Sequence, residues 1–387
     1  MSDPTTLTRR PPPSVHLVVP DGIHDPARPS GGNVYDRELA AALRELGSEV
    51  DEVAVAGTWP RPTAGSDGAL VRALAGVPDG ATVLVDGLIG LGCPHALEDE
   101  QQRLRLWLLV HLPLTLDPLS VDGGAAPSTR ADERRALLAC RGVLATSDWT
   151  RRWLLASHAL DPGRVHVAQP GVAPAGLVTG TEHGGHLLTV GAVAPAKGHD
   201  VLLAALTAIA DLPWSARIAG PLDRAPSFVS RLRADAEDAR LALRVRFDGP
   251  LAPAEMAAAY GAADLLVLPT RLESYGMVVT EALARGVPVV ASHVGGIPES
   301  LGTTRDGRVP GVLVPTEDPT ALSATLRRWL TDAPWRDQLR AAARRRRDEL
   351  AAWSVTAGLV KGALFGDDDP GARRHRPLGE PPREVSA

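Results

Sequence analysis

At 387 residues, 22% of them charged and 44% hydrophobic, the chain has an ordinary globular composition and is long enough for two or more domains of roughly 100–200 residues each. Its formal net charge of −5 argues against the broad basic field that nucleic acid requires, so nucleic acid is not an expected partner. Cys93 and Cys140 stand far apart with no metal-like spacing and read as reduced thiols, and no apolar run approaches the ~20 residues that span a bilayer. The start, "MSDPTTLTRRPPPS", lacks the apolar core of a signal peptide, so a soluble cytoplasmic protein is expected.

Residues 1–13 read as a flexible tail. Apolar runs at 14–20, 48–55, 81–86, 106–112, 142–147 and 164–169 then predict strands, with helical patterns such as 34–47 and 131–141 between them. The stretch 170–185 is rich in Gly, Pro and Thr without periodicity and reads as a linker. A second series of strands follows at 186–192, 214–220, 243–249, 263–269, 287–292 and 310–315. Strands alternating with helices predict an α/β fold of parallel sheets covered on both faces. The expected architecture is two doubly wound Rossmann-like domains, 14–175 and 186–350, with a ligand cleft between the carboxyl ends of their strands. Helices from 319 to 366 exceed what the second sheet needs, so the last, 351–366, is expected to return to the first domain. The run Arg344-Arg345-Arg346-Arg347 reads as a solvated helix face, and membrane contact is not expected because the matching apolar face is mostly alanine. Residues 367–387 read as a second flexible tail, whose "DDD" at 367–369 is a solvated acidic run.

Three passages carry candidate chemistry. Ser30-Gly31-Gly32 opens a helix after the first strand, where adjacent glycines let backbone approach a ligand and helix amides favour an anion. Read alone, this is also compatible with a simple connecting turn. "VGAVAPAKGHD" repeats the strand–loop–helix arrangement in the second domain and sets Lys197 at the mouth of the cleft, as a point charge for a phosphate. "ADLLVLPTRLESYGMVVTEALARG" reads as a buried strand, a loop and a helix from about Gly276. Glu273 and Glu281 flank the free amides of Tyr275, Gly276 and Met277, an arrangement suited to a sugar nucleotide.

In order along the chain, "SGGNVY", "LLVHLPL", "LATSDWTRR", "TVGAVAPAKG", "RIAGPL", "VRFDGPL", "ESYGMVVTE" and "ALARGVPVVASHVGGIPE" resemble the retaining glycosyltransferases of family 4, which have the GT-B fold. The likeness covers roughly residues 14 to 365, and its most specific part is the E-x7-E element from Glu273 to Glu281. It implies a retaining hexosyltransferase that moves a sugar from a nucleoside diphosphate, UDP first and GDP second, to an acceptor. Gly31, Gly32, Lys197, Arg271, Met277 and Val278 would hold the donor diphosphate, and Glu273, Ser274, Tyr275 and Gly276 the sugar. Glu281 would take the ribose, Pro250 and Leu251 the base, and His111 would stand by the reacting carbon, with His111, Glu273 and Lys197 as the catalytic set. One departure stands out. The family arginine after the glycine of "VGR…KG" is here Ala192, and Arg271 is the candidate substitute.

A small polar acceptor is expected in first-domain loops around Asp21, Asn33, Asp86 and Ser147, since the chain is only 4% aromatic. No cofactor or metal is expected beyond the sugar nucleotide as co-substrate, because Lys197 and helix amides can meet the leaving charge. His183 and His186 in the linker lack a third ligand nearby. The alternatives are a nucleotide-sugar epimerase on the same scaffold, which E-x7-E disfavours, and a catalytically silent nucleotide-sugar-binding protein, which only Ala192 favours.

Overall fold

A computed structural model describes residues 12–25, 29–116 and 127–366. Most of the two expected tails, with the acidic run at 367–369, lies outside the described residues. All twelve expected strands form, in two six-stranded parallel sheets.

The first half alternates β1 (Ser14–Pro20), α1 (Gly31–Glu45), β2 (Glu49–Val55), α2 (Ala64–Ala75), β3 (Thr82–Asp86), α3 (Gly87–Gly90), α4 (Pro94–Glu100), β4 (Arg105–Val110), α5 (Pro127–Ala139), β5 (Gly142–Ala145), α6 (Asp148–His158) and β6 (Val165–Val167). Its sheet runs β2-β1-β3-β4-β5-β6. The second half alternates β7 (His186–Val190), α7 (His199–Thr207), β8 (Ser215–Ala219), α8 (Pro226–Asp238), β9 (Val245–Gly249), α9 (Pro253–Gly261), β10 (Leu265–Leu268), α10 (Met277–Leu283), β11 (Val289–Ser292), α11 (Ile297–Leu301) and β12 (Gly311–Val314). This sheet runs β12-β11-β10-β7-β8-β9. Central strands are buried on both faces: every residue of β3, β10 and β11 is buried, which is why they read as unbroken apolar runs rather than alternating ones.

Strand order reverses between β1 and β3 in one sheet and between β7 and β10 in the other. Loops leaving the carboxyl ends of strands at such a switch point diverge and leave a crevice. Asp21 follows β1 and Asp86 is the last residue of β3, while the loops after β7 and β10 carry Lys197 and Glu273. The site is therefore assembled from two switch points.

Three helices follow, α12 (Pro319–Thr331), α13 (Ala333–Arg347) and α14 (Trp353–Phe365). Leu322, Leu326, Trp329 and Leu339 of the first two join the core of the second domain. The third crosses back: Trp353, Ala357, Val360 and Leu364 share a core with Val15, Leu17, Tyr35 and Leu39. Trp353 meets the Tyr35 ring edge-on at 5.2 Å, and the Thr356 hydroxyl donates to the Gln169 carbonyl at 2.7 Å. Gly171 lies against the start of α14, where a Cβ would fall 2.3 Å from the Trp353 amide nitrogen.

The arginine run is a solvated face only in part: Arg344 and Arg345 are exposed, while Arg346 and Arg347 are half-buried. Arg344 donates to the Thr179 carbonyl, Arg346 to that of Leu301, and Arg347 to those of Ala284 and Ala175, while Arg345 pairs with Asp306. These side chains fasten α13 to the linker and to the second domain's loops. Cys93 and Cys140 are buried free thiols.

Candidate active site between the two sheets

Each wall of the cleft starts from local backbone chemistry. Ser30 caps α1, its hydroxyl accepting the Asn33 N–H at 3.0 Å, so that Gly31 and Gly32 form the helix's first turn. His111, the first residue past β4, packs against that turn; a Cβ on Gly32 would lie 3.2 Å from the imidazole. Opposite, Gly276 caps α10 with φ +88, a conformation that a side chain disfavours. The Gly296 N–H donates to the Glu273 carbonyl at 3.0 Å and fixes the loop carrying that glutamate.

Between these walls lies a cavity of about 310 Å³. Gly31, Gly32 and His111 line it from the first domain, Lys197 and the stretch from Glu273 to Val278 from the second. Thus ten of the residues singled out from sequence converge on one space. Lys197 Nζ and the Glu273 carboxylate are 2.6 Å apart, an ion pair across the cavity wall. A second cavity of about 330 Å³ adjoins it, lined by Asp21, Asn33, Asp86 and, from the second domain, Arg224. His111 and Gly32 belong to both linings, so the imidazole stands where the two spaces meet.

Other residues singled out from the sequence lie outside these linings or are engaged elsewhere. Arg271 does not line the cleft. Its guanidinium is bidentate to Asp200 at 2.9 Å, bonds Glu317 at 2.9 Å and donates to the Pro195 carbonyl, so its donors are already committed. Ser147 is fully buried: it caps α6 through the Thr150 N–H at 3.0 Å and donates to the Ser274 carbonyl at 2.6 Å, tying the domains together. Glu299 of α11 adds to that tie by accepting the Asp148 and Trp149 N–H groups at the start of α6. Glu281, Pro250 and Leu251 line neither cavity. The Glu281 carboxylate accepts the Tyr260 hydroxyl at 2.8 Å, with Arg285 over that ring at 4.5 Å. Burial raises the Glu281 pKa, against the opposing pull of Tyr260 and Arg285.

Asp36 escaped the sequence reading. It is fully buried on α1 and bonds His111 Nε2 at 2.9 Å, while an Asp86 oxygen lies 3.9 Å from the same nitrogen. A signal existed: Asp36 falls in line with Leu39, Ala40 and Leu43 on the apolar face of the helix, where a carboxylate needs a partner. Burial alone would lower the His111 pKa, but the two carboxylates outweigh it and push it up to about 9. Burial raises Asp86, and the Asp36 charge carries it further, to about 7, against the His111 charge and the Leu88 N–H. The three groups bring ligand-type atoms within 4.8 Å of one another, a spacing that a cation would also fit. Here the Asp36 carboxylate is bonded to the imidazole Nε2.

Two doubly wound sheets that share a cleft lined from both switch points define the GT-B class of glycosyltransferase scaffold. Sucrose-phosphate synthase from Thermosynechococcus elongatus matches that fold with a TM-score of 0.76 at 21% identity, over 92% of this chain and all of that one. HepE from Anabaena, in complex with UDP-glucose, matches at a TM-score of 0.67 and 16% identity, over 90% and 98%. Residues 182–346 match the family described as Glycosyl transferases group 1. The D-inositol 3-phosphate glycosyltransferase of Thermobifida fusca is 30% identical over 387 residues, covering 85% of this chain and 87% of that protein. The chain belongs to the glycosyl transferases group 1 family. Among its described residues no helix is long and apolar enough to cross a membrane.

Proposed function

We propose that the protein is a retaining, metal-independent glycosyltransferase of family 4 that moves a sugar from a nucleoside diphosphate to a small polar acceptor. One observation carries this reading: the Lys197–Glu273 pair of one switch point faces Gly31, Gly32 and His111 of the other across a single cavity. The donor lies in that cavity with its diphosphate by Gly31, Gly32 and Lys197. When it enters, Lys197 trades its bond to Glu273 for phosphate oxygens, and the freed carboxylate accepts from sugar hydroxyls. The acceptor occupies the adjoining cavity, where Asp21, Asn33 and Asp86 offer polar groups.

In the transfer step the bond between the anomeric carbon and the diphosphate oxygen breaks, and a bond from the acceptor oxygen forms on the same face. The acceptor's proton leaves with the departing phosphate. Charge grows on the diphosphate as the sugar becomes oxocarbenium-like, and one preorganised donor aimed at that charge can be worth about 10²–10³ in rate. UDP is the first donor base to test, since HepE, of like fold, is recorded with UDP-glucose. Incubating the protein with UDP- and GDP-sugars and a panel of polyols, with detection of nucleoside diphosphate and product by mass spectrometry, tests the class. Anomeric coupling constants in the product test retention; inversion would contradict the mechanism.

A further inference from the structure

The Asp36 carboxylate has a role still to be filled. One oxygen takes the His111 Nε2 bond; the other, Oδ2, is buried without a hydrogen-bond partner. Leaving such an atom unsatisfied is costly, so a buried carboxylate on an apolar helix face needs a reason. Everything around it holds one ring in one place. The Tyr35 ring meets the imidazole edge-on at 5.1 Å, and Gly32 leaves only enough room for the ring to lie against the helix start. With Nε2 committed to Asp36, Nδ1 is the ring nitrogen that remains.

Among the described residues the charged groups that bear on His111 are few. Asp36 faces it from α1 and Asp86 from the end of β3. Among the described residues the other charged side chains of the donor cavity are Lys197 and Glu273, which pair with each other. Asp21 and Arg224 line the adjoining cavity. Since Ala192 supplies no charge and Arg271 is engaged elsewhere, Lys197 and His111 are, among the described residues, the basic side chains lining the donor cavity.

We propose that Asp36 is a positioning residue that fixes His111 as a protonated hydrogen-bond donor on the wall of the donor cavity, where it meets negative charge beside Lys197 and does not serve as the base for the acceptor's proton. The proposal rests on the glycosyl-transfer reading above. A carboxylate bonded to one imidazole nitrogen stabilises the imidazolium and sets its orientation, and the donor it leaves free is aimed before charge develops. It also gives a reason why Ala192 can be tolerated: a second cation reaches the cavity from the opposite domain.

The direction of the pH effect follows. A histidine with its pKa raised to about 9 is protonated through neutral pH and loses its charge as pH rises through that value. Removing the Asp36 charge should bring the loss to lower pH. The test is an NMR titration of the full-length protein with 15N-labelled imidazoles, the His111 signals being assigned by their absence in His111→Gln. His111 of the unmodified protein is expected to titrate above 8, and in Asp36→Asn at least about one unit lower. The alkaline limb of the kcat profile should shift by the same amount. A His111 value below 7 in the unmodified protein would overturn the proposal. So would an unmoved titration in Asp36→Asn, or one that moves without the rate profile, since a merely structural loss lowers the rate equally at every pH. If Asp36→Asn does not fold, saturating the unmodified protein with UDP is decisive: the His111 titration should move upward, and no movement means that the imidazolium does not face the diphosphate. The titration of the free protein needs no donor or acceptor. Failure of transfer with every nucleotide sugar would therefore sink the functional reading while leaving the Asp36–His111 result to stand alone.

Discussion

Lys197 and Glu273 are partners across 2.6 Å, and a diphosphate entering between them must replace that bond with better ones. Their side chains remain partly exposed, 28% and 17%, so the pair can open without a large desolvation cost. Lys197→Ala should lower turnover at saturating donor by at least about tenfold, because one preorganised cation commonly supplies that much or more. Steady-state rates within twofold of the unmodified enzyme would mean that His111 and backbone amides suffice. Both residues could be read from sequence because each sits in a short motif beside the glycines that shape its loop. Arg271 was misplaced for the opposite reason. Nearness in sequence to Glu273 says nothing of Asp200 and Glu317, which claim its guanidinium from other loops. Asp36 was legible only as a carboxylate on an apolar face; its partner is 75 residues away, beyond any local pattern.

At the scale of elements, the strands were the clearest part of the sequence. Double burial makes a central parallel strand an unbroken apolar run, and all twelve form within a few residues of where those runs lie. Helix α13 was read correctly only in part, because charge is visible in a sequence and backbone carbonyl partners are not. Arg344 and Arg345 are exposed as the sequence suggests, but Arg346 and Arg347 reach the carbonyls of Leu301, Ala284 and Ala175. The returning helix α14 was foreseen by counting elements, and Trp353 is its anchor, 9% exposed against Tyr35. Trp353→Ala should destabilise the first domain by about 3–5 kcal/mol, the usual range for deleting a buried tryptophan. Urea unfolding followed through signals of the first domain checks this; a loss below about 1 kcal/mol would mean that α14 is not needed for that core.

Across the whole molecule the cleft is closed by polar ties. Glu299 of the second domain accepts from the first turn of α6, and Ser147 of the first donates to Ser274 in the loop before α10. These ties act beside an apolar contact, Met277 of α10 packing against the core that Tyr35 and Leu39 share in the first domain. With Lys197, His111 and backbone amides supplying the charge, turnover in excess EDTA should stay within about threefold of that with magnesium, since such donors act without a metal. Loss of activity restored by a divalent cation would refute the metal-independent mechanism.

The division of labour between the two glutamates is the account's central claim, and calorimetry tests it directly. UDP is titrated into the unmodified protein, Glu281→Ala and Glu273→Ala, with turnover measured beside it. Glu281 bonds the Tyr260 hydroxyl and lines neither cavity, so the ribose role that the family resemblance implies for it is the part of the proposal this titration bears on most. Its removal should weaken UDP by roughly ten- to hundredfold, the equivalent of one charge-assisted hydrogen bond of about 1.5–3 kcal/mol. Glu273→Ala should leave UDP affinity within about threefold while turnover collapses, because the sugar loses its grip as its ring flattens. Equal losses of UDP affinity in both variants, or no binding of UDP or GDP by the unmodified protein, would contradict the account.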